Sequence, residues 1–227
     1  MALTSEQVIT TTDFPSFISS TFRSPANAIC WPRSPAGDFA EIVAKVDAAD
    51  NIVALSPADL LALDLRPAGQ LARKTLLEDL AVLTEHGAAP TLNVIRHYDR
   101  DDSFPLLPTD VYSFHVDRSP VPADTYLCTY HGAPSDIVPN DQVVQKILIP
   151  ELRAELRALY DGPDDGFDDF LAEYYFDLHY QLLPGAQPLN LGNGNLWRLA
   201  TDHPGNPVLP CVHRAPVEDG ARLMLIC

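Results

Sequence analysis

The sequence predicts an α+β fold, a single domain spanning residues 1–227 in which helices pack around a β-barrel. Three observations carry that reading. Helix-start signals and helical spacing of apolar residues dominate the first 90 positions. Short β-branched and aromatic runs begin at residue 91 and return near the end. Finally, 21 prolines scattered along 227 residues divide the chain into many short elements. No stretch has linker composition, no repeat shows at solenoid or propeller periods, and the length suffices for one sizeable core. Residues 1–90 are therefore assigned mainly as helical support. Residues 91–227 form the barrel core, with a helical insertion at about 142–183.

Residues 1–37 read as extended or irregular, because Ser-Pro pairs and Trp31-Pro32 block a helix. Asp38 is placed to cap a short helix whose apolar positions include Phe39, Ile42, Val43 and Val46. Asn51–Leu55 is β-like, and Ser56 with Pro57 supplies a cap and first-turn proline for a second helix. Pro67 interrupts that helix. A further one runs from about Ala68 to His86, stopped by Gly87, with Leu71, Leu76, Leu80 and Leu83 near helical spacing. Thr91–Tyr98, Val111–Asp117 and Thr125–Tyr130 read as strands. Pro150 opens a helix containing Leu152, Leu156 and Leu159, and Phe167 to Leu183 reads as another. Leu189–Leu191, Leu196–Ala200, Val208–Arg214 and Ala221–Cys227 restore the β signal.

The charge balance narrows the partners. Fifteen basic against 31 acidic side chains give a net charge of −16, which repels nucleic-acid phosphates and anionic membranes. No basic stripe offsets it. A small-molecule or peptide substrate remains compatible, because a few buried basic groups can still attract an anion. Four cysteines at 30, 128, 211 and 227 include no CxxC pair, which fits reduced thiols better than a disulfide scaffold. The segment MALTSEQVITTTDF lacks signal-peptide features, and no apolar run is long enough to span a membrane. A cytoplasmic location is the expectation.

Phe114-His115-Val116-Asp117 is the central motif. Residues two apart on a strand share a face, so an imidazole and a carboxylate converge there. A second histidine from a distant strand would complete a two-histidine, one-carboxylate triad with open positions, the arrangement of non-haem iron(II) oxygenases. Spacing alone is unspecific: seven histidines and 31 acidic residues in 227 give about one His-x-acid match by chance, and the chain holds two. His97-Tyr98-Asp99 leads into the polar run Asp99-Arg100-Asp101-Asp102 and reads as a solvated turn. His115-Val116-Asp117 lies in a β-like segment; its bland alternative is a hydrogen-bonded pair at a strand end.

The stretch FHVDRSPVPADTYLCTYHGAPSD resembles the core of an uncharacterised bacterial family, domain-of-unknown-function family 1826. That family follows a His-x-Asp with a strand reading roughly L-C-T-Y and a glycine turn, here Leu127-Cys128-Thr129-Tyr130 and Gly132. Its closing signature is matched by Val212-His213-Arg214-Ala215-Pro216 and Arg222-Leu223-Met224, and Asn27-Ala28-Ile29-Cys30-Trp31 gives a weaker echo. Ala215, where serine is expected, and the helical stretch between 142 and 183 depart from the pattern.

The layout is also similar to that of iron(II)/2-oxoglutarate dioxygenases. Their double-stranded β-helix, a jelly-roll or cupin-like barrel, supplies His-x-Asp early and a second histidine late. The resemblance implies His115, Asp117 and His213 as ligands of iron(II). It implies Arg222, nine positions after His213, as the anchor of the far carboxylate of 2-oxoglutarate. Arg214, Arg198 and Arg96 are alternative anchors, and a surface ion pair with Glu218 or Asp219 is the alternative role for Arg222. Hydroxylation of a substrate C–H bond is the implied outcome; Asp117 argues against halogenation. Two rivals use the same triad: a non-catalytic metal-binding protein of zinc homeostasis, and a cupin-like oxygenase independent of 2-oxoglutarate.

Tyr112, Tyr126, Tyr130 and Trp197 are the aromatic residues available to line a substrate pocket, with barrel core as the alternative. Cys211 shares a face with His213 but reads as a buried thiol. Glu173, Asp177 and His179 lack the E-x-x-H motif of a di-iron site. Leu191-Gly192-Asn193-Gly194-Asn195 reads as a turn, because no phosphate-loop lysine follows.

Overall fold

The computed structural model describes residues 5–46, 50–100, 104, 106–217 and 219–227. Asp101 and Asp102 of the polar run, Glu218, and residues 1–4 of the N-terminal segment lie outside them. The elements are β1 (Val8–Thr10), α1 (Phe14–Ser19), β2 (Ala28–Trp31), α2 (Phe39–Lys45), β3 (Ile52–Leu55), α3 (Pro57–Ala62) and α4 (Pro67–Glu85) in the first part. β4 (Thr91–Ile95), β5 (Phe114–His115), β6 (Asp124–His131), β7 (Asp136–Val138) and β8 (Val143–Gln145) follow. Then come α5 (Pro150–Leu159), α6 (Phe167–Glu173), β9 (His179–Leu182), β10 (Leu189–Asn190), β11 (Leu196–Ala200), β12 (Val212–Arg214) and β13 (Arg222–Ile226).

The helix starts follow their predicted chemistry. The Asp38 side chain accepts from the Glu41 amide at the start of α2, and Ser56 forms a capping box with Asp59 ahead of Pro57 in α3. Pro67 itself begins α4, where a missing N–H costs nothing. Leu76, Leu80 and Leu83 face the core, whereas Leu71 is exposed. α1 departs from the irregular reading of residues 1–37: Asp13 and Ser16 form a capping box, and Pro15 sits in the first turn, where proline is tolerated.

The strands make two mostly antiparallel sheets. One has the order β1-β2-β11-β6-β13-β4-β3, the other β10-β7-β12-β5-β9-β8. β4 pairs with β13, β5 with β12, β6 with β11, and β7 with β10, all antiparallel. Successive strands from β4 to β7 alternate between the sheets, as do those from β10 to β13. Side-chain alternation then divides each strand between two environments. On the larger sheet, Tyr126, Cys128, Tyr130, Leu223 and Leu225 pack with Phe17, Phe39, Ile42, Leu60, Leu76 and Leu83 of the helices. On the opposite face, Leu127, Trp197 and Leu199 meet Ile137 of the smaller sheet, so the two sheets pack face to face. That packing requires Ala28 and Cys30 of β2 as well, so the N-terminal part supplies strands to the sheet in addition to helical support.

The helix expected from Phe167 to Leu183 is shorter. Regular helix ends at Glu173, Tyr175 takes the left-handed backbone conformation (φ 60°), and His179–Leu182 forms β9. A non-glycine residue at that φ stops an α-helix. Beyond it the periodicity is two, with Leu178, Tyr180 and Leu182 packed into one apolar cluster with Phe114, Val116, Val138 and Val212.

Candidate metal centre

β5 contributes only two residues to its sheet, yet it lies between β12 and β9 and so has neighbours on both sides. His115 is directly opposite His213 on β12 and His179 on β9. Phe114, Val116 and Val212 turn into the apolar cluster on one face of this sheet, which leaves His115, Asp117 and His213 on the other. The result is a compact group: one ligand atom from each of the three lies within 4.8 Å of the others. His213 Nε2 is 3.6 Å from Asp117 Oδ2, and the His115 and His213 ring centroids are 4.5 Å apart.

Hydrogen bonds orient each candidate ligand. His115 Nδ1 is 2.7 Å from the Ser113 carbonyl oxygen, and His213 Nδ1 is 3.2 Å from that of Cys211. A carbonyl only accepts, so both Nδ1 atoms carry a proton, and in the neutral ring that arrangement leaves the lone pair on Nε2. Each histidine thus uses the carbonyl two residues earlier to fix its tautomer. The Thr125 hydroxyl donates to Asp117 Oδ2 at 2.5 Å, a partner that holds a ligating carboxylate in place. The Asp202 amide donates to the Asp117 carbonyl, and Arg118 bridges Asp177 and Asp202 at 2.6 and 2.8 Å, clamping the segments around the site.

The electrostatics favour ligation. Burial, reinforced by the neighbouring His213, pushes the His115 pKa down to about 4, from an ordinary 6.5. Burial pushes Asp117 upward, but His213, the Thr125 hydroxyl and His115 together bring its pKa below the ordinary value. Near neutral pH the site therefore presents a neutral His115 imidazole and an ionised Asp117, the forms a divalent metal requires. Two imidazoles and a carboxylate are a donor set suited to iron(II) and to its divalent substitutes.

No family model, no curated protein and no solved structure matches the chain.

The other sequence candidates scatter around this centre. Arg222 is wholly buried, which removes the surface ion-pair alternative. It alternates with Leu223 on β13 and so points between the sheets, where Nη2 lies 3.3 Å from Ser135 Oγ and 3.4 Å from Met224 Sδ. Arg214 lies on the face opposite His213. There it donates to Asp136 Oδ2 at 3.1 and 3.2 Å and stacks over Phe114 at 4.6 Å. Arg198 pairs with Asp124 at 2.6 Å and also donates to the Ile18 and Ser20 carbonyls; Arg96 reaches the Val46 carbonyl.

Of the four aromatic candidates, Tyr126 and Tyr130 face the helices, on the side of β6 opposite Thr125. Tyr130 donates to Asp79 Oδ2 and stacks on Phe39. Trp197 is core between the sheets, with Nε1 donating to the Leu191 carbonyl. Tyr112 accepts from the Tyr98 amide and lies under Arg100, 3.8 Å from its ring centroid.

His97 is exposed beyond the end of β4. Cys211 is buried, and burial pushes its thiol pKa well up. Gly192 and Gly194 take positive φ in the turn between β10 and β11, where the Gly194 amide donates to the Thr129 carbonyl. His179, which the sequence groups only with Glu173 and Asp177 on a helix without an E-x-x-H motif, lies instead on β9 opposite His115. Its signal was the change from helical to alternating periodicity after Tyr175.

Proposed function

We propose that this chain is an iron(II)- and 2-oxoglutarate-dependent oxygenase on a double-stranded β-helix, hydroxylating a small-molecule or peptide substrate. The observation that carries the reading is the group His115, Asp117 and His213, with ligand atoms mutually within 4.8 Å. Four antiparallel pairs support the architecture: β4–β13, β5–β12, β6–β11 and β7–β10 are the rungs of one long hairpin wound so that alternate strands fall in alternate sheets. The sequence resemblance of the two ligand segments points the same way.

His115 and His213 would hold the metal through Nε2, and Asp117 through its carboxylate. Iron(II), with 2-oxoglutarate bound, supplies oxygen activation toward a substrate C–H bond. The interior also suits an anionic guest. Arg222 is buried between the sheets, and a guanidinium fork matches a carboxylate. The Thr129 hydroxyl, 1% exposed, has no hydrogen-bond partner among the described residues. Thr129 pairs with Met224, whose sulfur touches Arg222, so the hydroxyl and the guanidinium occupy one interior region. A buried hydroxyl without a partner is expensive, and a carboxylate there would satisfy it.

The test is an anaerobic titration of the iron(II)-loaded protein with 2-oxoglutarate, following the charge-transfer absorption of the chelate. Arg222→Lys keeps the charge but loses the fork, so affinity should fall roughly tenfold, and further in Arg222→Ala, with metal content retained. No chelate signal in the parent protein at saturating iron overturns the cosubstrate assignment. Loss of metal binding in the parent overturns the reading altogether.

A further inference from the structure

We infer that His179 is a positioning residue of the metal centre, hydrogen-bonding the metal's non-protein anionic ligand. The inference rests on the metal-binding reading above. Four of the six strands in the smaller sheet, β10-β7-β12-β5, belong to the paired set, and β5 would be its open edge. The chain leaves that set after β7, and part of the excursion over residues 139–188 lays β9 along β5. The register puts His179 opposite His115, and His115 is opposite His213. Three histidines thus occupy one rung on neighbouring strands and share a face.

β9 meets its apolar demand on its other face, where Tyr180 and Leu182 join the cluster around Phe114. The face toward the ligands therefore needs no histidine for packing. His179 is 3% exposed, with its ring centroid 5.7 Å from that of His115. The two residues that lead into it are held in place. The Val116 amide donates to the Leu178 carbonyl, Gln145 donates to the Asp177 carbonyl, and Arg118 pairs with the Asp177 carboxylate.

His179 stands outside the mutually close ligand group. Neighbouring strands are about 4.8 Å apart, so a metal shared by β5 and β12 is one strand spacing farther from β9. That separation suits a hydrogen bond to an atom bound to the metal better than a bond to the metal itself. An imidazole N–H is a donor, and the ligand it suits is a small anion with an acceptor atom, such as a carboxylate.

The experiment loads metal-free protein with cobalt(II), reads the visible absorption, and then titrates azide. His179→Phe keeps the ring and removes the nitrogens; His179→Asn and His179→Gln place an amide near Nδ1 or Nε2. Cobalt affinity should stay within about threefold of the parent in all three. Azide affinity should fall about tenfold in His179→Phe and recover in one of the amide variants. The retained cobalt spectrum reports an intact site, and the amide variants serve if His179→Phe does not fold. Unchanged azide affinity in His179→Phe overturns the inference while leaving the metal centre standing. A cobalt affinity lost as in His115→Ala also overturns it, because His179 would then be a ligand. A parent protein that takes no cobalt, or cobalt without azide, removes the basis for it.

Discussion

Replacing Thr125 by Val should weaken divalent-metal binding by roughly 10–100-fold without removing any metal ligand. Val has nearly the shape of Thr, so the substitution deletes one hydroxyl and opens no cavity. That hydroxyl donates to Asp117 Oδ2 at 2.5 Å. A hydrogen bond to a charged acceptor contributes about 1.5–3 kcal/mol, which converts to the stated range. Partners of ligating carboxylates carry a similar penalty when removed. The assay is competition for cobalt(II) or zinc(II) against a chelating dye. Thr201→Val is the control: its hydroxyl donates to the Ala123 carbonyl at 2.6 Å, outside the ligand group, and metal affinity should hold within about twofold. In an Asp117→Ala background, Thr125→Val should cost nothing further, because the two act through one carboxylate. Parent-like affinity in Thr125→Val, or an equal loss in both backgrounds, would refute the claim that Thr125 acts by orienting Asp117.

Single alanine replacements of His115, Asp117 and His213 should each greatly reduce metal binding, whereas the exposed His97→Ala should not; full occupancy in two of the three would sink the triad. Tyr130→Phe removes the donor to Asp79, worth about 1.5–3 kcal/mol, and should lower the melting temperature by about 5 °C with metal affinity unchanged. Acid should destabilise the metal-free protein through His115. Burial and His213 hold its pKa at about 4, so below 6.5 the unfolded chain takes up a proton that the folded chain refuses. Stability is then present above about pH 6.5 and falls by about 3 kcal/mol as pH drops toward 4, a slope that His115→Gln should flatten in chemical-denaturation curves.

The candidate group was legible where one short-range rule sufficed. His115 and Asp117 are two apart on an extended segment, so strand geometry alone puts them on one face. His213 came from the resemblance of its segment, since nothing local ties residue 213 to residue 115. The helix starts at Asp38 and Ser56 were legible because caps act within four residues. His179 was not, because its role depends on a strand register set by the whole excursion after β7. Reading that segment as helix hid the alternation that begins after Tyr175. The resemblance put Arg222 ahead of Arg214 as the anchor, but the environment of each was not legible for a similar reason. Arg214 ends β12 and Arg222 begins β13, and the residues they reach, Asp136 for one and Ser135 for the other, fix which lies between the sheets.

The aromatic residues of β6 show why a buried strand defeats pattern reading. Residues 125–130 are buried throughout, so hydrophobic alternation disappears and either face is a candidate for the site. The two faces nevertheless serve different ends. Tyr130 completes a buried cluster in which Arg33 grips Asp79 with two nitrogens at 2.6 Å, tying α4 to the sheet. Thr125, an odd number of positions away, reaches Asp117 on the other side. One strand therefore couples the helical layer to the candidate metal centre through its backbone while keeping the two sets of side chains apart. That division accounts for the N-terminal helices: they bury the outer face of the larger sheet, so that its inner face can hold polar groups such as Thr125, Thr129 and Arg222 without leaving the strands unsupported.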